Sequence, residues 1–180
     1  MIRASRFDAA LFEEAEANPA LGNQARNLVL LVAALSGLGA ALLNLDRGVP
    51  AAITSFLFRS VAVTVGWILW SAVTLWIGTT LTASSETHAD AKEVRRVLAY
   101  AFSPWALSVL VFIPTIGPII FLISSFWVLI AGVVAIHTAL DFSFSRAVIT
   151  VFAGWMVLGA FVIVATLLGL GLSLLFSGGS

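Results

Sequence analysis

The fold is decided by residues 97–140, which read VLAYAFSPWALSVLVFIPTIGPIIFLISSFWVLIAGVVAIHTAL and contain no Asp, Glu, Lys or Arg. As one α-helix this stretch would be roughly 66 Å long, about twice the hydrocarbon thickness of a bilayer. It must therefore turn back on itself. Pro114, Gly117 and Pro118 lie near its middle, where prolines lack a backbone donor and a glycine permits a positive φ. The stretch predicts a transmembrane hairpin.

The composition of the whole chain indicates an all-α, polytopic membrane protein. Of its 180 residues, 61% are hydrophobic and only 10% are charged, which is too apolar for a soluble domain with a polar surface. Nine basic residues balance nine acidic ones, so no charged field points to a nucleic-acid partner. The chain has no cysteine, which excludes disulfides and thiolate metal sites, and we expect no cofactor.

The chain divides into a polar N-terminal segment and one membrane domain. Residues 1–27 predict a short amphipathic helix at the interface, ended by Asn18-Pro19, with a loosely ordered terminus as the alternative. Residues 28–176 predict a helical bundle of five spans. The spans are residues 28–45, 60–81, 97–113, 118–139 and 147–176. The last run, of about 30 residues, exceeds the bilayer thickness and must tilt, kink or project.

Two features of the first half of the membrane domain bear on packing. Ala33, Gly37 and Ala41 recur every four residues, a spacing that lets two helices approach closely. This face is expected to pack against protein, either a partner or the bundle itself. Arg59 stands just before the second span, so we expect its side chain to anchor at the interface, with a buried functional arginine as the alternative.

The third span is expected to begin from a short helix outside the membrane. Thr87 with Asp90 offers an N-cap for that helix, and Asp90 and Glu93 suit its start, because carboxylates are favourable near a helix N-terminus. Pro104 should then kink the span, since a proline in a helix interior removes a hydrogen bond and clashes with the preceding turn.

The distribution of basic residues predicts the orientation of the bundle. With five spans and the N-terminus inside, seven of the nine basic residues lie on the inner face, as the positive-inside rule requires. These are Arg3, Arg6, Arg26, Lys92, Arg95, Arg96 and Arg146, whereas Arg47 and Arg59 fall outside. We therefore expect a multi-pass protein of the cell inner (plasma) membrane with a cytoplasmic N-terminus and its C-terminus on the opposite side.

The order of several short motifs is more specific than any one of them. These are Gly66-Trp67, Arg95-Arg96-Val97-Leu98-Ala99-Tyr100-Ala101-Phe102-Ser103-Pro104, the Ile113-Pro114 turn with Gly117, Trp127, and Ser145-Arg146-Ala147 before the last span. In this order, over about residues 20–170, the chain resembles the Yip1 domain family, particularly its bacterial members. The resemblance implies five spans with a cytoplasmic N-terminus.

What the resemblance implies about function is limited. Eukaryotic members bind small prenylated GTPases, act in vesicle traffic and membrane shaping, and have a long cytoplasmic N-terminal region. The polar N-terminal segment here has about 27 residues, so the resemblance by itself does not carry GTPase binding to this chain.

The sequence shows no motif of a familiar enzyme. It contains no nucleophile elbow, no His-Glu-x-x-His zinc motif and no phosphate-binding loop. His137 and Asp141 stand four residues apart and could form a proton relay or half of a metal site. The simpler interpretation is that they cap a helix and bond locally. We therefore expect a protein without catalytic, metal or cofactor residues.

The function that we expect is that of a non-catalytic scaffold or accessory subunit, which binds other membrane proteins, associates with itself or organises lipid. A small oligomeric transporter or channel is the alternative, because breaks at prolines expose backbone groups inside a membrane. The candidate structural or partner-contact residues are Gly37, Tyr100, Pro104, Pro114, Gly117, Pro118, Trp127 and Arg146.

Overall fold

The computed structural model describes residue 3 and residues 8–81, 90–157 and 159–160. These residues form helices and connecting turns, without a strand among them. The α-helices are α1 (Ala9–Ala17), α2 (Gly22–Leu43), α3 (Val49–Thr80), α4 (Ala91–Ala101), α5 (Ile116–Ala139) and α6 (Phe144–Val157). Short 3₁₀ helices at Pro19–Leu21 and Leu45–Arg47 flank α2, and a longer one, Ser103–Phe112, follows α4.

The helices are long and apolar enough to confirm an all-α membrane bundle. Three helical stretches, Pro19–Leu43, Val49–Thr80 and Ile116–Ala139, can each cross a bilayer by length and composition. The bent pair formed by α4 and the 3₁₀ helix makes a fourth if it is one span. The fifth predicted span begins with α6, and most of it, from residue 161 onward, lies outside the described residues.

The break in the third predicted span falls at Pro104, as the sequence predicts. Helix α4 ends at Ala101, and the 3₁₀ helix Ser103–Phe112 continues at an angle of 45°. The acidic residues predicted at the start of α4 lie there, but the N-cap is Asp90 and not Thr87, which lies outside the described residues. Asp90 forms a capping box with Glu93. The Asp90 carboxylate accepts a hydrogen bond from the backbone N–H of Lys92, and the backbone N–H of Asp90 donates to the Glu93 carboxylate.

The turn between the 3₁₀ helix and α5 lies where it was predicted, but its glycine has another role. Thr115, and not Gly117, takes the positive φ, at 67°. Gly117 lies in the first turn of α5, where a Cβ atom would be 2.2 Å from the carbonyl oxygen of Val111. A glycine is therefore needed here for the close approach of two backbones. Pro114 lies in the turn itself, and Pro118 lies in the first turn of α5, where no backbone donor is needed.

Helix α3 begins about 11 residues earlier than the predicted second span. Gly48, at a φ of 100°, ends the preceding turn, and α3 starts at Val49 with Pro50 in its first turn. Its 32 residues correspond to roughly 48 Å, which is longer than a bilayer core. As a consequence Arg59 lies within the helix and not before it.

The core contains a chain of aromatic rings that joins four elements. Trp70 of α3 is fully buried and contacts Phe102 and Trp155, with ring centroids 6.0 and 5.4 Å away. Trp105 stacks on Phe102 and meets the edge of Phe121, at 5.6 and 5.4 Å. Glycines of α5 and α6, Gly132 and Gly154, leave room for the Trp70 ring. Such ring pairs add stability beyond their buried area.

The small-residue face of α2 packs within the chain. At Gly37 a Cβ atom would be 2.2 Å from the Ser60 hydroxyl and 2.8 Å from the Phe56 carbonyl oxygen, so α2 and α3 are in close contact there. Ser60 donates a hydrogen bond of 3.2 Å to the Ala33 carbonyl across the same contact. Of the two occupants that the sequence left open for this face, the bundle itself is the one that contacts Gly37.

Candidate functional site

The bundle has two ends, which differ in polarity. We call the end with α1 and the starts of α2 and α4 the α1 end, and the end with residues 44–48 and 113–115 the turn end. Helix α1 lies on the bundle at its own end, against α4 and α5. Its Leu11, Phe12 and Ala15 are buried there. The amphipathic helix expected at residues 1–27 is thus packed on protein through its apolar side.

Arg96 fastens the C-terminal end of α1 to α4. The side chain is only 6% exposed, and it donates hydrogen bonds to the main-chain carbonyls of Ala15 and Glu16. The last carbonyls of a helix lack partners within the helix, and the helix dipole places partial negative charge there. A buried guanidinium therefore satisfies both the hydrogen-bonding and the electrostatic demands of this helix end.

Tyr100 makes a second connection, one helical turn further along α4. Its hydroxyl donates to the Oε1 atom of Gln24, at 3.0 Å, which ties α4 to the start of α2. The ring is buried, with an exposed fraction of 4%. We refer to Arg96, Tyr100, Gln24 and the carbonyls of Ala15 and Glu16 as the α1 clasp.

Negative charge gathers around the clasp. Burial raises the pKa of Glu16 above its ordinary value, and the carboxylates of Asp141, Glu93 and Glu13 raise it further, whereas Arg96 opposes them. On the exposed side of α1, Arg3 makes ion pairs of 2.7 Å with Asp8 and 3.0 Å with Glu14. The hydrogen bond from Arg3 lowers the pKa of Asp8. The α1 end therefore has a polar surface, and the buried cation Arg96 lies within it.

The contacts of His137 agree with the simpler of the two interpretations of its pairing with Asp141. The Nδ1 atom of His137 bonds to the carbonyl oxygen of Phe142, and its ring meets the ring of Phe144 edge-on. Asp141 is exposed and has a positive φ of 46° in the turn after α5. Within the described part of the chain, no group of three His, Cys, Asp or Glu residues is placed to hold a metal ion.

The other candidate residues are spread over the bundle. Pro104, Pro114, Gly117 and Pro118 shape the break and the turn at opposite ends of the 3₁₀ helix. Trp127 is partly exposed on α5. The guanidinium carbon of Arg146 lies 5.9 Å from the centre of the Phe142 ring at the α1 end.

Of the predicted candidates, Tyr100 alone belongs to the clasp. Sequence reasoning missed Arg96 and Gln24 as site residues, because it counted the Arg95-Arg96 pair only as positive charge at the membrane face. A signal was present in the helical register. Arg96 stands three and four residues before Ala99 and Tyr100, which share its helical face and are both buried, so it lies on a buried side of α4.

These features define a class of protein: a polytopic α-helical membrane protein with a broken span and an N-terminal helix clasped to one end of the bundle. Comparison with known families matches residues 9–176 to the Yip1 domain. The chain belongs to the Yip1 domain family. No curated protein and no solved structure matches it.

Proposed function

We propose that the protein is a non-catalytic scaffold or accessory subunit that binds other membrane proteins or organises lipid around them. The observation that carries the proposal is the α1 clasp, which fixes a polar helix to the end of an apolar bundle. A helix held in this way offers a partner a surface of fixed shape, so less ordering entropy is lost on binding.

The exposed side chains at this end suit a polar partner segment. Glu13 and Glu14 are exposed on α1, and Lys92 and Arg95 are exposed on α4. Both signs of charge are therefore exposed at the same end of the bundle, which favours a particular orientation of the partner more than it adds affinity. The proposed contact surface consists of these four residues and the exposed side of α1.

The α1 end faces the cytoplasm in this proposal, and the membrane is a bacterial inner membrane. Support comes from the basic residues, because Arg26, Lys92, Arg95, Arg96 and Arg146 belong to the α1 end, whereas Arg47 belongs to the turn end. An excess of Arg and Lys marks cytoplasmic segments.

Purification from native membranes in a mild detergent tests the proposal. We expect the wild-type protein to retain another membrane protein in a fixed ratio. Arg96→Gln should lose that partner, because the clasp is broken and α1 no longer has a fixed position. Arg26→Gln is the matched control, since it removes the same charge from an exposed position near the start of α2 that lies outside the proposed contact surface, and it should retain the partner in the wild-type ratio.

Two results would contradict the proposal. The first is a wild-type protein that purifies alone or only with copies of itself. The second is an Arg96→Gln protein that retains the partner in the wild-type ratio although proteolysis shows that α1 has detached.

A small oligomeric transporter is the second candidate, and the break at Pro104 is the observation that favours it. A 45° bend and ten residues of 3₁₀ helix are unusual inside a span, and transporters use such breaks to bind substrates. Solute flux into reconstituted vesicles that is abolished by Pro104→Ala would favour transport. The scaffold proposal expects no flux from either protein.

A further inference from the structure

Arg59 is a cation inside the bundle. Its Nε atom donates a hydrogen bond of 3.0 Å to the hydroxyl of Ser36 on α2, and its guanidinium carbon lies 5.9 Å from the centre of the Phe121 ring on α5. The side chain is partly buried. It thus bridges three helices, α2, α3 and α5, and does not extend away from the bundle toward the end of its helix.

The depth of this group follows from the register of α2. Ser36 lies near the centre of the apolar run Leu28–Leu43, so it is roughly 10–12 Å from either end of that run. Phe121 is five residues into α5, roughly 8 Å from the turn end. The contact with Ser36 therefore favours the second of the two interpretations of Arg59, a buried arginine, over an anchor at the interface.

Arg59 has no counter-charge among the described residues. In the part of the chain that the structure describes, its hydrogen-bond partner is a neutral hydroxyl and its other contact is an aromatic ring. The acidic residues of the full sequence all lie outside the apolar runs, and a second copy of the chain would therefore bring no carboxylate to this depth. They are Asp8, Glu13, Glu14, Glu16, Asp46, Glu86, Asp90, Glu93 and Asp141.

Two buried hydroxyl groups without a hydrogen-bond partner lie in the helices about one turn from the contacts of Arg59. The Ser108 and Ser124 hydroxyls are buried, each residue being 1% exposed, and they have no hydrogen-bond partner among the described residues. Ser124 is one turn beyond Phe121 on α5. The backbone of Ser108 contacts Gly39, which is one turn beyond Ser36 on α2. Buried polar groups normally find partners, so these hydroxyls mark a polar region that the chain leaves incomplete.

We infer that Arg59 is the docking point for a carboxylate on a transmembrane helix of a different protein. Ionisable groups within membranes pair with one another, and an arginine at this depth is costly unless it is paired. A lipid phosphate fits less well, because headgroups lie beyond the ends of the apolar run while Ser36 holds Nε near its centre. The inference rests on the proposed accessory-subunit function and specifies its partner: a span with an Asp or Glu near mid-depth.

The open side of the site is formed by α3 and α5. Phe121, which lies against the guanidinium, is 39% exposed. Ala62, one turn along α3 from Arg59, is exposed and small, so that a partner helix can approach the backbone closely.

The test uses the full-length protein and a designed helix in vesicles of phosphatidylcholine, which carries no net charge. The probe is a single-span peptide of Leu and Ala with one central Glu, and the matched probe has Gln at the same position. Energy transfer between labels on protein and peptide reports association at pH 8. We expect the Glu peptide to bind the wild-type protein at least tenfold more tightly than the Gln peptide. Arg59→Gln should abolish this difference, Arg59→Lys should retain part of it, and Arg47→Gln, at the turn end, should leave it unchanged.

Equal binding of the two peptides to the wild-type protein would overturn the inference, and this comparison does not depend on the folding of a variant. A preference for Glu that persists in Arg59→Gln would overturn it as well. If 20% phosphatidylglycerol abolished the preference, a lipid phosphate would be the occupant of the site and the partner-helix inference would fail. A stoichiometric partner found by purification, together with equal peptide binding, would leave the accessory-subunit proposal standing without this site.

Discussion

Arg96 and Arg59 are two arginines of one chain in opposite situations. Arg96, at the α1 end, gives its hydrogen bonds to two carbonyls at the C-terminus of a helix. Arg59, inside the bundle, bonds one neutral hydroxyl and lies beside a ring. The guanidinium of Arg96 is therefore satisfied by hydrogen bonds within the fold, whereas the charge of Arg59 has no charged partner among the described residues. Only the second is available to a partner.

The largest loss of stability is expected when the side chain of Arg96 is removed from the α1 clasp. Arg96→Leu removes both hydrogen bonds and leaves two carbonyls at the end of α1 without a donor, which should cost about 3 kcal/mol. The melting temperature in detergent should fall, and a protease should cleave near Asn18 much faster than in the wild type. Arg95→Leu, at the exposed neighbouring position, should change neither quantity; a similar loss in both variants would mean that net charge, and not the clasp, holds α1.

Removing the charge of Arg59 should change the stability of the protein in the opposite direction. Arg59→Leu takes an unpaired charge out of apolar surroundings, so the protein purified without a partner should be stabilised by about 1 kcal/mol or left unchanged. Thermal unfolding in a neutral detergent measures this effect, with Arg47→Leu as the control outside the bundle. If Arg59→Leu were as unstable as Arg96→Leu, Arg59 would be a structural residue and the contrast between the two arginines would disappear.

A smaller effect is expected at the second connection of the clasp. Tyr100→Phe keeps the buried ring and removes one hydrogen bond between neutral groups, which should cost about 1 kcal/mol. Since Gln24 is exposed, water can replace the lost partner on its side. In a double-mutant cycle with Gln24→Ala, the two losses should overlap; strictly additive losses would show that the two side chains do not interact.

The smallest effect is a pH dependence at the clasp. Because the pKa of Glu16 is raised above its ordinary value of 4.5, the folded state binds its proton more tightly than the unfolded state does. Its contribution to stability is present below about pH 4.5 and is lost as the pH rises through the folded pKa. Glu16→Gln should therefore stabilise α1 at pH 7 and not at pH 4. Asp46→Asn, at the turn end and exposed, should leave the stability of α1 unchanged at both pH values. A Glu16→Gln protein that is less stable than wild type at pH 7 would refute this account of the charge around α1.

Much of the bundle could be predicted because its signals are local. The uncharged length of residues 97–140 forces a hairpin, Pro104 lies at the break of the span that contains it, and the carboxylates of Asp90 and Glu93 mark the start of α4. Each of these follows from properties of neighbouring residues. The positive φ at Thr115 did not follow, because Gly117 is the residue better suited to it in isolation. Gly117 is needed instead because the start of α5 lies close to the backbone of Val111 in the 3₁₀ helix. That contact joins two elements, and the sequence around Gly117 does not show it.

The two arginine sites could not be predicted, because each depends on contacts between residues that are far apart in the sequence. Arg96 meets carbonyls about 80 positions away, and carbonyl groups carry no sequence signal. The depth of Arg59 depended on the start of α3 at Val49, since a span beginning at residue 60 places the same side chain at the interface. A shift of about three helical turns in one boundary thus favours a partly buried cation inside the bundle over the expected anchor.

The central claim is that this protein works by holding a different membrane protein. The most direct measurement is the mass, by native mass spectrometry, of the complex released from its own membranes in mild detergent. The account predicts a species that contains this chain and another membrane-spanning chain in a fixed ratio, the latter with an Asp or Glu near the middle of a span. A spectrum that contains only the chain, or only multiples of it, would contradict the claim.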